Sequence, residues 1–141
     1  MKLRQLTLLF MLAMLMTAIF SGCGASGPVG TVKAFTNAVY NGDMDKAAKY
    51  VVEDQRGNMD DMGMFGDIMS IPGIKDIMKA MKKNTKYELV SQDGNTAKVK
   101  VKVDIAKAMG PLGAMAGDEG VTETIYTLEN RNGKWLISDY R

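Results

Sequence analysis

Histidine is absent from these 141 residues, and Cys23 is the single cysteine. Imidazole is the usual general base near neutral pH and the commonest metal ligand. Without it, Ser/His/Asp triads, Cys/His dyads and Cys/His zinc sites are excluded, and no cofactor or metal is expected. Any catalysis would rest on Asp, Glu, Lys or Tyr. Three groupings invite a chemical reading. Met59, Met62 and Met64 offer thioether sulfurs that suit Cu(I), but with no Cys or His beside them their plainer role is an adaptable filler or surface. Asp60, Asp61 and Asp67 fit no EF-hand spacing and read as solvated loop charge. Lys98, Lys100 and Lys102 form a stripe that could meet anionic headgroups at up to ~1 kcal/mol each. A wet strand face that also discourages edge pairing is the plainer explanation.

Cys23 has a more specific context. Lys2 and Arg4 precede an uncharged, largely apolar run from Leu6 to Phe20, followed by Ser21-Gly22-Cys23. As a helix the run covers roughly 22 Å, short of the ~30 Å hydrocarbon core, so it is expected to be the apolar region of an export signal rather than a permanent span. Phe20-Ser21-Gly22-Cys23 resembles a bacterial lipobox, with Phe20 in place of the more usual Leu. That resemblance implies a diacylglyceryl group on the Cys23 sulfur and cleavage between Gly22 and Cys23. Two or more acyl chains anchor stably where one is marginal. The expected organisation is therefore a lipoprotein signal peptide (1–22), a lipidated tether (23–27) and one domain (28–141). Subtracting Lys2 and Arg4 from the 18 basic residues leaves 16 against 16 acidic ones, so no general case for nucleic-acid binding remains.

The elements that would position any site follow from periodicity. A first helix is expected over 28–41, with Ser26 or Gly27 as cap, Pro28 in its first turn, and Val29, Val32, Phe35, Ala38 and Val39 as its buried stripe. Gly42 ends it, and Asp43 caps a second over 43–53. Residues 54–66 read as a loop. An interrupted third helix follows, a short turn near 65–70 and then a restart at Ser70 and Pro72 through Lys83. Its apolar face is Ile74, Ile77, Met78 and Met81, with Lys75, Lys79, Lys82 and Lys83 in water. Strands are expected over 86–92 and 96–105, where Val99, Val101, Val103 and Ile105 alternate with charge. A three-residue turn pairs Gln92 with Thr96, Leu89 with Val99, Tyr87 with Val101 and Glu88 with Lys100. After a loop over 106–120, strands 121–129 and 134–140 meet across a four-residue turn that pairs Glu129 with Lys134 and Leu128 with Trp135. Tyr126, Leu128, Trp135 and Ile137 then share one face.

Helices first and a four-stranded antiparallel meander after them make an α+β layer arrangement. The chain also resembles the nuclear-transport-factor-2-like (cystatin-like) fold, in particular a bacterial lipoprotein domain of unknown function built on it. The residues concerned are Val32-Lys33-Ala34-Phe35, Asn41-Gly42-Asp43-Met44-Asp45-Lys46-Ala47 and Gly133-Lys134-Trp135-Leu136-Ile137. The resemblance implies a curved sheet wrapped over a helix, often with a conical pocket, and no particular activity. In such a pocket Phe35, Tyr126 and Trp135 would line the wall, or simply pack as core. Asp139 shares strand parity with Trp135 and Ile137; either it joins them as a desolvated general base with Tyr126 polarising a carbonyl, which resembles isomerases and dehydratases of this fold, or, two residues before Arg141, it sits at the wet edge of the sheet.

The function expected on these grounds is a lipid-anchored, extracytoplasmic protein of the cell envelope. It would act as a non-enzymatic binding or interaction module, with no catalytic residue. Its partners would be the membrane through the anchor and either an apolar small ligand or an envelope protein. The alternative is a small lyase or isomerase using Asp139, and the third reading a methionine-based metal binder.

Overall fold

Pro28 opens helix α1 (Pro28–Tyr40), where its missing N–H costs nothing, and Gly27 supplies the extended N-cap. The computed structural model describes residues 27–60, 68–69, 71–111, 113 and 120–141. Val32, Phe35 and Ala38 form the buried stripe of α1, with Thr31 and Thr36 buried beside them. Gly42 turns the chain at φ +74°, and a Cβ there would stand 2.9 Å from Cγ of Met69. The turn therefore requires glycine on two counts, its conformation and its neighbour. Asp43 then caps α2 (Met44–Ala48), its carboxylate accepting from the Lys46 N–H at 3.0 Å.

The second helix stops well short of residue 53. Residues 50–52 run parallel to the last strand instead: the Ile137 N–H donates to the Tyr50 carbonyl at 2.8 Å, and the Val52 N–H to the Ile137 carbonyl at 2.9 Å. Two adjacent β-branched residues, Val51 and Val52, favour extended backbone and are both buried by it. The pairing also covers a sheet edge that would otherwise stand open. Helix α3 (Glu53–Asp60) occupies the start of the expected loop, with Glu53 and Asp54 complementing the positive end of its dipole. Helix α4 (Ile74–Lys83) follows Gly73 and carries Ile74, Ile77, Met78 and Met81 half-buried, none fully.

The sheet is a four-stranded antiparallel meander in the order β1 (Thr85–Asp93), β2 (Thr96–Asp104), β3 (Val121–Arg131), β4 (Lys134–Tyr140). Ala97, Val99 and Val101 point into the core, while Lys98, Lys100 and Lys102 face outward, as alternation requires. Ile105 does not continue β2. It begins the short α5 (Ile105–Ala108), which Asp104 caps through the Lys107 N–H at 2.9 Å. Tyr87–Val101, Leu89–Val99 and Glu88–Lys100 pair as expected. The route to that register differs: Gln92 lies opposite Ala97, the turn is the two-residue Gly94-Asn95, and Val90 bulges to restore the frame.

The β3–β4 turn is also two residues long. Asn132 and Gly133 take φ +55° and +81°, so Arg131 pairs with Lys134, Asn130 with Trp135 and Leu128 with Ile137. An Asn-Gly pair in this conformation matches the right-handed twist of the flanking strands, which outweighs a longer loop. The pairing is two residues from the one expected, and because the side-chain period is two, each face keeps its members. Leu128, Trp135 and Ile137 are buried together with Val32, Phe35, Ala47 and Val51.

Candidate functional site

Aromatic side chains gather where α1 crosses the inner face of the sheet. The Phe35 ring meets Tyr126 edge-on, with centroids 5.9 Å apart and planes at 64°. Tyr126 in turn lies 6.0 Å from Tyr140 at the end of β4. On the far side Tyr87 reaches α1, its hydroxyl 2.6 Å from Oγ1 of Thr36. That Thr36 hydroxyl donates to the Val32 carbonyl at 3.0 Å, so the proton between the two side chains belongs to Tyr87. Tyr40, one helical turn beyond Thr36, holds Oγ1 of Thr85 at 3.3 Å.

Tyr126 differs from its neighbours in two respects. Burial, with the added proximity of Tyr40, Tyr87 and Tyr140, pushes its phenol up to about 12. Its hydroxyl has no hydrogen-bond partner among the described residues, although no side-chain polar atom there is both sealed from solvent and unpaired. The group is a neutral O–H donor, half-buried and packed against the core cluster. Burial also raises Tyr87 above its ordinary 10.0, an effect that Thr36, turning to donate to the phenolate, offsets in part.

Of the four pocket residues expected from sequence, Phe35 and Tyr126 stand in contact and Trp135 joins the same buried cluster. Asp139 does not. A bulge at Ser138 places Asp139 opposite Thr127, on the outer face, while Tyr140 moves opposite Tyr126. The carboxylate is exposed and lies across the sheet from the phenol it was expected to assist. Strand parity failed because one extra residue in β4 reverses it. Cys23 and Gly22 lie outside the described residues, as do Met62, Met64, Asp61 and Asp67.

Cavities open among the described residues on either side of α4's end. One, of about 400 Å³, has Tyr40, Met69 and Met78 as apolar lining, with Lys75, Lys79 and Lys82 around it. Another, of about 200 Å³, is bordered by Lys83, Lys86, Lys102 and Lys107 with Asp104. In the second the cations are partly answered: Lys102 meets Glu123 at 2.5 Å and Lys107 meets Asp104 at 3.2 Å. The hydrogen bond from Lys102 holds the Glu123 carboxyl below its usual range, and Glu123 raises Lys102 in return. Glu88, opposite Lys100 in register, is not its ion-pair partner; Lys100 reaches Glu123 at 4.0 Å instead. Neither cavity was anticipated. Lysines at positions 75, 79 and 82 form one row on a helix, which sequence can show, but Tyr40 and Met69 come to that row only through the fold.

The architecture is that of an α+β protein whose N-terminal helices pack on a four-stranded antiparallel sheet. Residues 21–108 match the family described as Domain of unknown function (DUF4878), and the chain belongs to that family. No curated protein matches it. Among solved structures it is similar to a Campylobacter jejuni protein described as an NTF2-like transpeptidase, at 18% identity and TM-score 0.47 over 77% of this chain and 94% of that one. It is also similar to a SEC-C motif containing protein from Rhodopseudomonas palustris, at 13% identity and TM-score 0.46 over 84% of this chain and 80% of that one.

Proposed function

We propose that this protein is a lipid-anchored, extracytoplasmic binding module of the cell envelope that performs no catalysis. The anchor is the diacylglyceryl group on Cys23, exposed when the leader is removed after Gly22. The binding surface is the aromatic inner face, and its ligand is a small, mostly apolar molecule with one hydrogen-bond acceptor. A single observation carries this reading: the buried-edge phenol of Tyr126, against Phe35, has a proton to give and no described partner to take it, while the acid that would have made the site reactive is turned outward. A donor without a base can hold a carbonyl or ether oxygen but cannot complete a proton abstraction.

The test is extraction of small molecules from the purified full chain and from Tyr126→Phe, compared by mass spectrometry. A compound held by the wild type and depleted several-fold in the variant supports the reading. Equal retention by both, or none by either, overturns it.

A further inference from the structure

We infer that the groove between the end of α1 and helix α4 binds an amphiphilic anion: an aliphatic chain ending in a carboxylate or phosphate. Its apolar part is built from three separate segments. Tyr40 comes from the last turn of α1, Met78 from α4, and Met69 from the residues between α3 and α4. Met69 is held there because Gly42, lacking a side chain, lets its Cγ approach. Tyr40 is fixed from its far end by the hydrogen bond to Thr85, so its ring forms a wall rather than a mobile surface side chain. Thioether side chains adapt to chains of different shape, which suits an acyl group.

Charge defines the rest of the ligand. Lys75, Lys79 and Lys82 recur at i, i+4 and i+7 and therefore line one side of α4. Among the described residues, no carboxylate lines the groove and none of the three lysines has an ion-pair partner. Asp76, the acid on the same helix, borders the row three residues before Lys79, but forms no ion pair with it among the described residues. Like charges one turn apart repel, so the row costs stability unless an anion sits among them. Lysine ammonium groups are point charges rather than planar forks, so they accept carboxylate and phosphate heads alike. The volume, about 400 Å³, lies within the range of small-ligand sites, roughly 300–1,000 Å³. The neighbouring lysine-lined cavity is different, since Asp104 and Glu123 already answer two of its cations.

This groove shares Tyr40 with the aromatic cluster but takes its charge from α4, and its test does not depend on Tyr126. The test uses the full chain in phosphatidylcholine nanodiscs with ¹³C-methyl methionine, titrated with octanoate, octyl phosphate, octanol and acetate. The methyl signals of Met69 and Met78 report the groove directly, whatever enters the bilayer. At least one of octanoate and octyl phosphate should shift both signals saturably, at tenfold lower concentration than octanol or acetate, and the tighter of the two identifies the head group. The K75Q/K79Q/K82Q variant should lose at least tenfold in that affinity while its Trp135 indole signal stays in place. Octanol or acetate binding as tightly as the best anion, unmoved methionine signals, or an unaffected triple variant would each overturn the inference.

Discussion

Asp139 stands across the ladder from Thr127, while Ile137, two residues earlier on the same strand, stands across from Leu128. Ser138 is the extra residue between them, and its Oγ donates to the Thr127 carbonyl at 3.2 Å. One inserted residue thus separates a buried core position from an exposed carboxylate. If Asp139 does no chemistry and packs against nothing, Asp139→Asn should change stability by less than about 0.5 kcal/mol, as surface substitutions do. Thermal unfolding of the two proteins checks this.

The phenol of Tyr126 gives a pH signature. Its pKa is about 12 in the folded protein against an ordinary 10.0, so above pH 10 the unfolded chain loses this proton while the folded one keeps it. Stability should be insensitive to this group below pH 10 and fall between about 10 and 12, with Tyr87 acting in the same direction. The full loss attributable to Tyr126 is about 3 kcal/mol. Denaturant unfolding across that range, repeated on Tyr126→Phe, should show a shallower decline in the variant.

Gly42 couples two segments distant in sequence. Gly42→Ala forces a β-carbon into positive φ and onto Met69 Cγ, and should destabilise by roughly 1–2 kcal/mol or more. Only the second part of that cost depends on Met69. In the Met69→Ala background the penalty should shrink, a non-additivity of about 0.5 kcal/mol or more in a double-mutant cycle.

Leu128 and Ile137 face each other at full burial in the centre of the sheet. Leu128→Ala should cost about 2–5 kcal/mol and Ile137→Val about 0.5–1.5 kcal/mol. Chemical denaturation gives both values, and a Leu128→Ala cost below 1 kcal/mol would mean the core is misplaced.

Sequence legibility followed the range over which each determinant acts. Alternation in Val99, Val101 and Val103, the stripe of Val32, Phe35 and Ala38, and the Asp43 cap are local, and the α+β order follows from them. Asn132-Gly133 was also legible as a tight hairpin, and only the longer turn assigned to it displaced the register by two. Val90 and Ser138 were not, because a bulge depends on what the opposite strand presents. The Val51-Val52 segment left its helix to pair with β4, a tertiary demand that helical periodicity through Met44, Ala47 and Ala48 could not show. Of the aromatic site, Phe35 and Tyr126 were anticipated, whereas Tyr87, Tyr40 and Thr36 came from elements whose mutual approach has no sequence mark.

The envelope assignment rests on what becomes of the leader, and intact-mass measurement of the protein recovered from bacterial membranes addresses it most directly. The expected mass is that of a chain beginning at Cys23 and carrying a diacylglyceryl group, with Cys23→Ala abolishing both the cleavage and the added lipid. A mass matching the unacylated chain from Met1, or processing that persists unchanged in Cys23→Ala, would contradict the account.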